Sequence, residues 1–160
     1  MILYTLTFSA LSGCMPASYR AAKREENHYQ TGQPGDGWVA VDPGGADRAW
    51  FNAALTASIY TDSNCGTHYR ELRLTDLAQE SIAGIRNAKT IRDEGPTVDG
   101  RAAVLRITSG QLDGVDVTVA NLVTNHDACT YDLNYVAPTL QFDAGYDAYQ
   151  TMVAGFVAHR

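Results

Sequence analysis

The sequence predicts an α+β domain, an antiparallel sheet of about six strands flanked by two helices. Three observations carry this. Apolar and polar residues alternate through Ala54 to Thr61, Ala102 to Gln111, Val115 to Thr124 and Cys129 to Val136. Two stretches, Thr75 to Asn87 and Phe142 to Ala158, switch to helical spacing. Asp113-Gly114 and Asn125-His126-Asp127, which are hairpin turn signals, join the later strands in quick succession. With 160 residues and 45% hydrophobic content, the chain is long enough for one domain with a core and short for two.

Residues 1–13 read as a leader. Ile2 to Leu11 (ILYTLTFSAL) form an apolar run of about ten residues, which fits a signal-peptide h-region and is about half of what spans a bilayer. No Lys or Arg precedes it, unlike the usual positive n-region, which points to a start upstream of Met1. The alternative is an N-terminal strand of the domain, with Cys14 a buried thiol. Leu11-Ser12-Gly13-Cys14 resembles the lipobox of bacterial lipoproteins, in which a peptidase cuts before the cysteine and its sulfur carries a diacylglycerol. The resemblance implies lipidation of Cys14, attachment to a membrane through that N-terminal anchor, and a place in the cell envelope. Met15 stands where an aspartate would signal inner-membrane retention in enteric bacteria, so the outer membrane is favoured. Pro16 to Gly37 is polar, charged and rich in Gly and Pro, so residues 14–37 read as the lipidated cysteine and a flexible tether.

The domain is expected over 38–160. Trp38 to Val41 predicts a short strand stopped by Asp42-Pro43-Gly44-Gly45, and Leu55, Ala57 and Ile59 alternate with Thr56 and Ser58 in a second. Leu74, Leu77, Ala78, Ile82 and Ile85 then recur at helical spacing, with Thr75 or Asp76 placed to cap the helix. A weaker strand at Lys89 to Asp93 leads through Gly95-Pro96 into a three-stranded meander. In its second strand Val115, Val117 and Val119 point one way, and Asn121 falls where the next apolar residue belongs, which predicts a bulge or an edge. The last helix, Phe142 to Ala158, carries Phe142, Tyr146, Tyr149, Val153, Phe156 and Val157 on one stripe.

The resulting order of strand, strand, helix, four strands, helix resembles the PsbP-like α/β/α sandwich, the fold of a photosystem II extrinsic protein and of a Ran-binding import factor. Asn64-Cys65-Gly66, Asp99-Gly100-Arg101, Leu112-Asp113-Gly114-Val115, Cys129-Thr130-Tyr131-Asp132 and Val136-Ala137-Pro138 also resemble a group of uncharacterised deltaproteobacterial lipoproteins. Neither resemblance implies an activity.

With Cys14 assigned to lipid, two cysteines remain. Cys65 and Cys129 each stand beside turn-forming residues at the edge of an expected strand, and an oxidising compartment lets them pair. Two separate buried thiols are the alternative.

Chemistry is sparse. Ser63 with His68, and His126 with Asp127, are the only local groupings of catalytic type, both in turn-rich segments, and no G-x-S-x-G, HExxH or P-loop motif occurs. No catalytic residue, cofactor or metal is therefore expected. His28, His68, His126 and His159 are dispersed, and a metal site would need His68 and His126 to converge with Asp62 or Asp127. The net charge of −6 and the lack of a long basic run exclude nucleic acid as the expected partner. Tyr131, Tyr135, Tyr146 and Tyr149 are placed either to line a groove between the last strand and the last helix or to pack in the core with hydroxyls at the rim. The expected function is a non-catalytic binding or accessory module for a membrane-associated assembly, its partner another envelope protein. A carrier of a small apolar or aromatic ligand is the alternative, and a small hydrolase a third reading.

Overall fold

The computed structural model describes residues 29–65, 72–127 and 129–159. The leader Ile2 to Leu11, Cys14, His28 and His68 lie outside the described residues. The chain runs through β1 (Tyr29–Gln30), β2 (Val39–Ala40), β3 (Arg48–Asn52), β4 (Ala57–Cys65), α1 (Leu74–Glu80), β5 (Arg86–Glu94), β6 (Thr97–Val98), β7 (Arg101–Leu112), β8 (Val115–His126), β9 (Cys129–Pro138), α2 (Phe142–Ala154) and β10 (Val157–Ala158). The main sheet has the order β2-β3-β4-β9-β8-β7-β5 with β6 paired to β7, and every pairing is antiparallel.

The sheet has eight strands rather than about six. β3 and β6 are the additions, and both are short. β3 buries only Trp50 and Asn52 on its inner side, too few positions to announce a strand by alternation. The expected meander is present as β7, β8 and β9, and Asp113 adopts the left-handed conformation its Asp-Gly turn requires, φ 50°.

The two faces differ in chemistry. On one, Ile59, Leu122, Leu133 and Tyr135 meet Phe142, Tyr149 and Met152 of α2, and burying such side chains contributes about 1.5–3 kcal/mol each. On the other, Leu77 and Ala78 of α1 sit on Val123 and Val104. That second face is crossed by a polar row. Asp93, Arg106, Asn121, Asn134 and Tyr60 stand directly opposite one another on β5, β7, β8, β9 and β4. Asn121 therefore marks neither a bulge nor an edge. It is fully buried in a central strand, because Asn134 across the ladder accepts its amide proton at 2.7 Å.

Both helices are shorter than their periodicity. α1 stops at Glu80 instead of Asn87 and gives way to a turn that still buries Ile82. Ile85 leaves the helix to lie on Gly110, where any side chain would collide with it. α2 stops at Ala154 because Gly155 packs against the backbone of Gly32, so Val157 and Ala158 extend and pair with Gln30 and Tyr29. Tyr29 is 2% exposed, so the fold includes residues that the composition assigns to the tether. Cys65 and Cys129 face each other on β4 and β9 with Cα atoms 4.0 Å apart and their sulfurs joined.

Candidate functional site

α2 packs mainly on β9 and β4 and covers less of the β7 and β5 side of the same face, where Leu105 is part-buried and β5 is exposed along its length. A trough runs between the helix and that margin. Its larger lobe, about 380 Å³, has Leu105 and Leu122 for a floor, with Tyr146, Tyr149, Val153 and Phe156 on the helix side and Val98 opposite. Its smaller lobe, about 290 Å³, is lined by Ile91, Ile107 and Phe142. Tyr146 lines both lobes.

The helix spacing explains which side chains reach the trough. Phe142, Gly145, Tyr149 and Met152 form the buried stripe of α2, and Tyr146 and Val153 flank it on the side toward β7. The Tyr146 hydroxyl is shielded from solvent and lies beside the Arg92 guanidinium. Burial pushes its pKa up; Glu94 adds to the rise and Arg92 opposes it. The charged residues lining the larger lobe are Glu94 and Asp99, and those of the smaller lobe are Arg92 and Asp143. Arg92 is itself paired with Glu94 at 3.5 Å.

No groove opens between β9 and α2. Gly145 carries no side chain, which lets the helix settle onto Tyr135, whose hydroxyl donates to the Phe142 carbonyl at 2.8 Å. Tyr149 likewise donates to the Leu133 carbonyl at 2.9 Å, and Tyr131 lies edge-on to Tyr29 and Phe156. Burial pushes the Tyr135 phenol up to about 12 and raises Tyr149 as well. Of the four expected tyrosines, Tyr131 and Tyr135 belong to the core, while Tyr146 and Tyr149 reach the trough on the other flank of the helix.

Of the two groupings of catalytic type, His68 lies outside the described residues, and Ser63 and His126 each have other partners. Ser63 is 5% exposed and donates its hydroxyl to Asp47 Oδ2 at 2.6 Å. The same carboxylate oxygen accepts from Tyr29 at 3.0 Å, and the Tyr29 hydroxyl also meets Thr61 Oγ1 at 2.7 Å. This is a buried structural network. His126 lies 3.3 Å from its neighbour Asp127, and Cys129, the residue opposite His126, is held in the disulfide. Among the described residues no group of three or more His, Cys, Asp or Glu side chains could hold a metal ion.

A second polar site is assembled by strand register alone. Asp62 and Asp132 stand opposite each other on β4 and β9, on the α1 face. Burial first, then Asp62, pushes the Asp132 carboxyl up to about 6, against hydrogen bonds from Asn121 and Ser81. Burial and the same two carboxylates raise Tyr60. Finding this cluster requires the strand register, which no local motif reveals.

No family model matches the chain, and no curated protein does. Solved structures do. A Mycobacterium tuberculosis protein, LpqN, described as involved in cell envelope biogenesis, superposes with TM-score 0.62 at 15% identity, over 88% of this chain and 96% of that one. Cyanobacterial PsbP from Synechocystis superposes with TM-score 0.56 at 15% identity, over 78% and 83%. A Pseudomonas aeruginosa protein of unknown function gives TM-score 0.54 at 13% identity, over 77% and 82%. The chain thus has a PsbP-like α+β fold. At these identities the likeness is one of architecture.

Proposed function

We propose that this chain is a non-catalytic lipoprotein of the cell envelope, anchored through Cys14, that serves as an accessory module by presenting one pole to another envelope protein. One observation carries the reading: the first described residues and a group of exposed apolar side chains lie at opposite ends of the described fold. Tyr29 pairs with Ala158, just past the end of α2. Leu140, 96% exposed, stands just before its start, and α2 with its 13 residues spans about 20 Å. Leu112 and Val115, also exposed, face each other at the tip of the β7–β8 hairpin beside the same end. An anchor upstream of Tyr29 would hold one pole near a bilayer and turn the apolar pole outward, as a contact surface requires. The lipobox-like Leu11 to Cys14, the disulfide and the involvement of the M. tuberculosis neighbour in cell envelope biogenesis support the location, and Met15 favours the outer membrane.

Expression in a bacterium with the leader present, followed by intact-mass analysis, tests the anchor. The expected product begins at Cys14 and carries diacylglycerol; an unmodified chain beginning at Met1 would overturn the assignment. Photocrosslinkers placed at Leu140 and Val115 are expected to capture one common envelope protein that a crosslinker at Gln30 does not reach. The trough favours a second reading, in which the module carries a small apolar or aromatic ligand beside α2.

A further inference from the structure

We infer that the larger lobe of the trough takes a small amphipathic amine, with its apolar body on Leu105 and Leu122, against Tyr146 and Phe156, and its ammonium toward Glu94 and Asp99. The inference rests on the carrier reading and adds the chemical class of the ligand. A lobe of about 380 Å³ is of the size that small molecules occupy, and too small for a folded partner. Its floor and helix-side wall are apolar and aromatic, so a ligand must bring apolar surface to displace water.

The sign of the charge follows from the lining. Glu94 and Asp99 are the charged residues of this lobe, and both are acidic. Arg92 reaches Glu94 from the smaller lobe at 3.5 Å, but both side chains are about half exposed, so the pairing is weak. Asp99 gives one oxygen, Oδ2, to the Ala158 N–H at 3.0 Å. A carboxylic acid in this lobe would meet two like charges. An ammonium meets two opposite ones and stands beside an aromatic wall, a combination that favours organic cations. The Tyr146 hydroxyl, which Arg92 approaches from the smaller lobe, is the other polar group on the helix side.

Phenethylamine, phenethyl alcohol and phenylacetate share one body and differ in charge. Titrated at neutral pH into methyl-labelled protein, the amine is expected to shift the Leu105 and Leu122 methyl resonances saturably. It should bind about tenfold more tightly than the alcohol, as one weak ion pair plus one cation–π contact would give, with the acid weakest. The double variant Glu94→Gln/Asp99→Asn should bring the amine down to the level of the alcohol and leave the alcohol unchanged, which shows that the lobe is still formed. Asn suits position 99 because it tolerates the φ of 47° there and keeps an acceptor for Ala158. An acid that binds as well as the amine, or an amine indifferent to the double variant, would overturn the ligand class while the carrier reading stands. If none of the three probes moves those methyl groups, the carrier reading falls and this inference falls with it.

Discussion

Asn121 donates its side-chain amide proton to the Asn134 carbonyl oxygen at 2.7 Å, at the centre of a sheet that shields both residues almost completely. Such a pair is tolerated only as a pair. Replacing Asn134 with Val strands a buried amide and should cost about 1–3 kcal/mol in urea unfolding. The double variant Asn121→Val/Asn134→Val should be less destabilised than the sum of the two singles. Strict additivity would show that the two amides do not depend on each other.

Cys65 and Cys129 close a segment of 64 residues. Removing that cross-link by Cys65→Ala/Cys129→Ala should lower stability by about 4 kcal/mol in the chain-entropy account. Unfolding of the oxidised and reduced wild type, compared with the variant, measures it. A difference under about 1 kcal/mol would mean that the unfolded chain is already compact around these strands.

Asp132 gives stability a pH dependence. Its carboxyl is pushed from an ordinary value of 3.8 up to about 6, so the folded state holds the proton more tightly than the unfolded one. The contribution is complete below about 3.8 and is lost as the pH rises through about 6. Asp132→Asn keeps the neutral form at every pH. Its urea midpoint should therefore improve relative to wild type between about pH 4 and pH 7. Parallel curves through that window would mean that Asp132 titrates alike in both states.

Gly155 lets the chain turn out of α2 against Gly32. A methyl group there would meet the Gly32 backbone, so Gly155→Ala should cost about 1–3 kcal/mol, the range of overpacked sites. The damage should be local. Hydrogen exchange is expected to show lost protection at Gln30 and Val157 with the amides of α2 unchanged, and uniform loss along the helix would contradict it.

Much of the frame was legible in the residues themselves. Asp113-Gly114 between two alternating runs specifies a hairpin almost by itself, and β7, β8 and β9 fall where periodicity puts them. The elements that escaped are those whose reasons lie elsewhere in the chain. β1 and β10 are two residues each and exist because Tyr29 and Ala158 find each other across almost the whole sequence. Asn121 suggests a margin until the register places Asn134 beside it. The four tyrosines were visible as a set, but which of them touch solvent depends on how closely Gly145 lets α2 approach β9 and how far β5 extends beyond the helix.

The two outer strands of the main sheet are both poor templates for pairing. β5 is exposed along all nine residues, carries Arg86, Lys89, Arg92, Asp93 and Glu94, and shifts register twice against β7. β2, at the opposite margin, offers only two residues. Charge and irregularity blunt one side and brevity the other, so neither can template a neighbouring copy into a continuous ribbon. Proteins crowded on a common surface meet their own kind at high local density. Lengthening β2 or ironing out the kinks of β5 would create a straight edge on which copies at such density could pair into fibres.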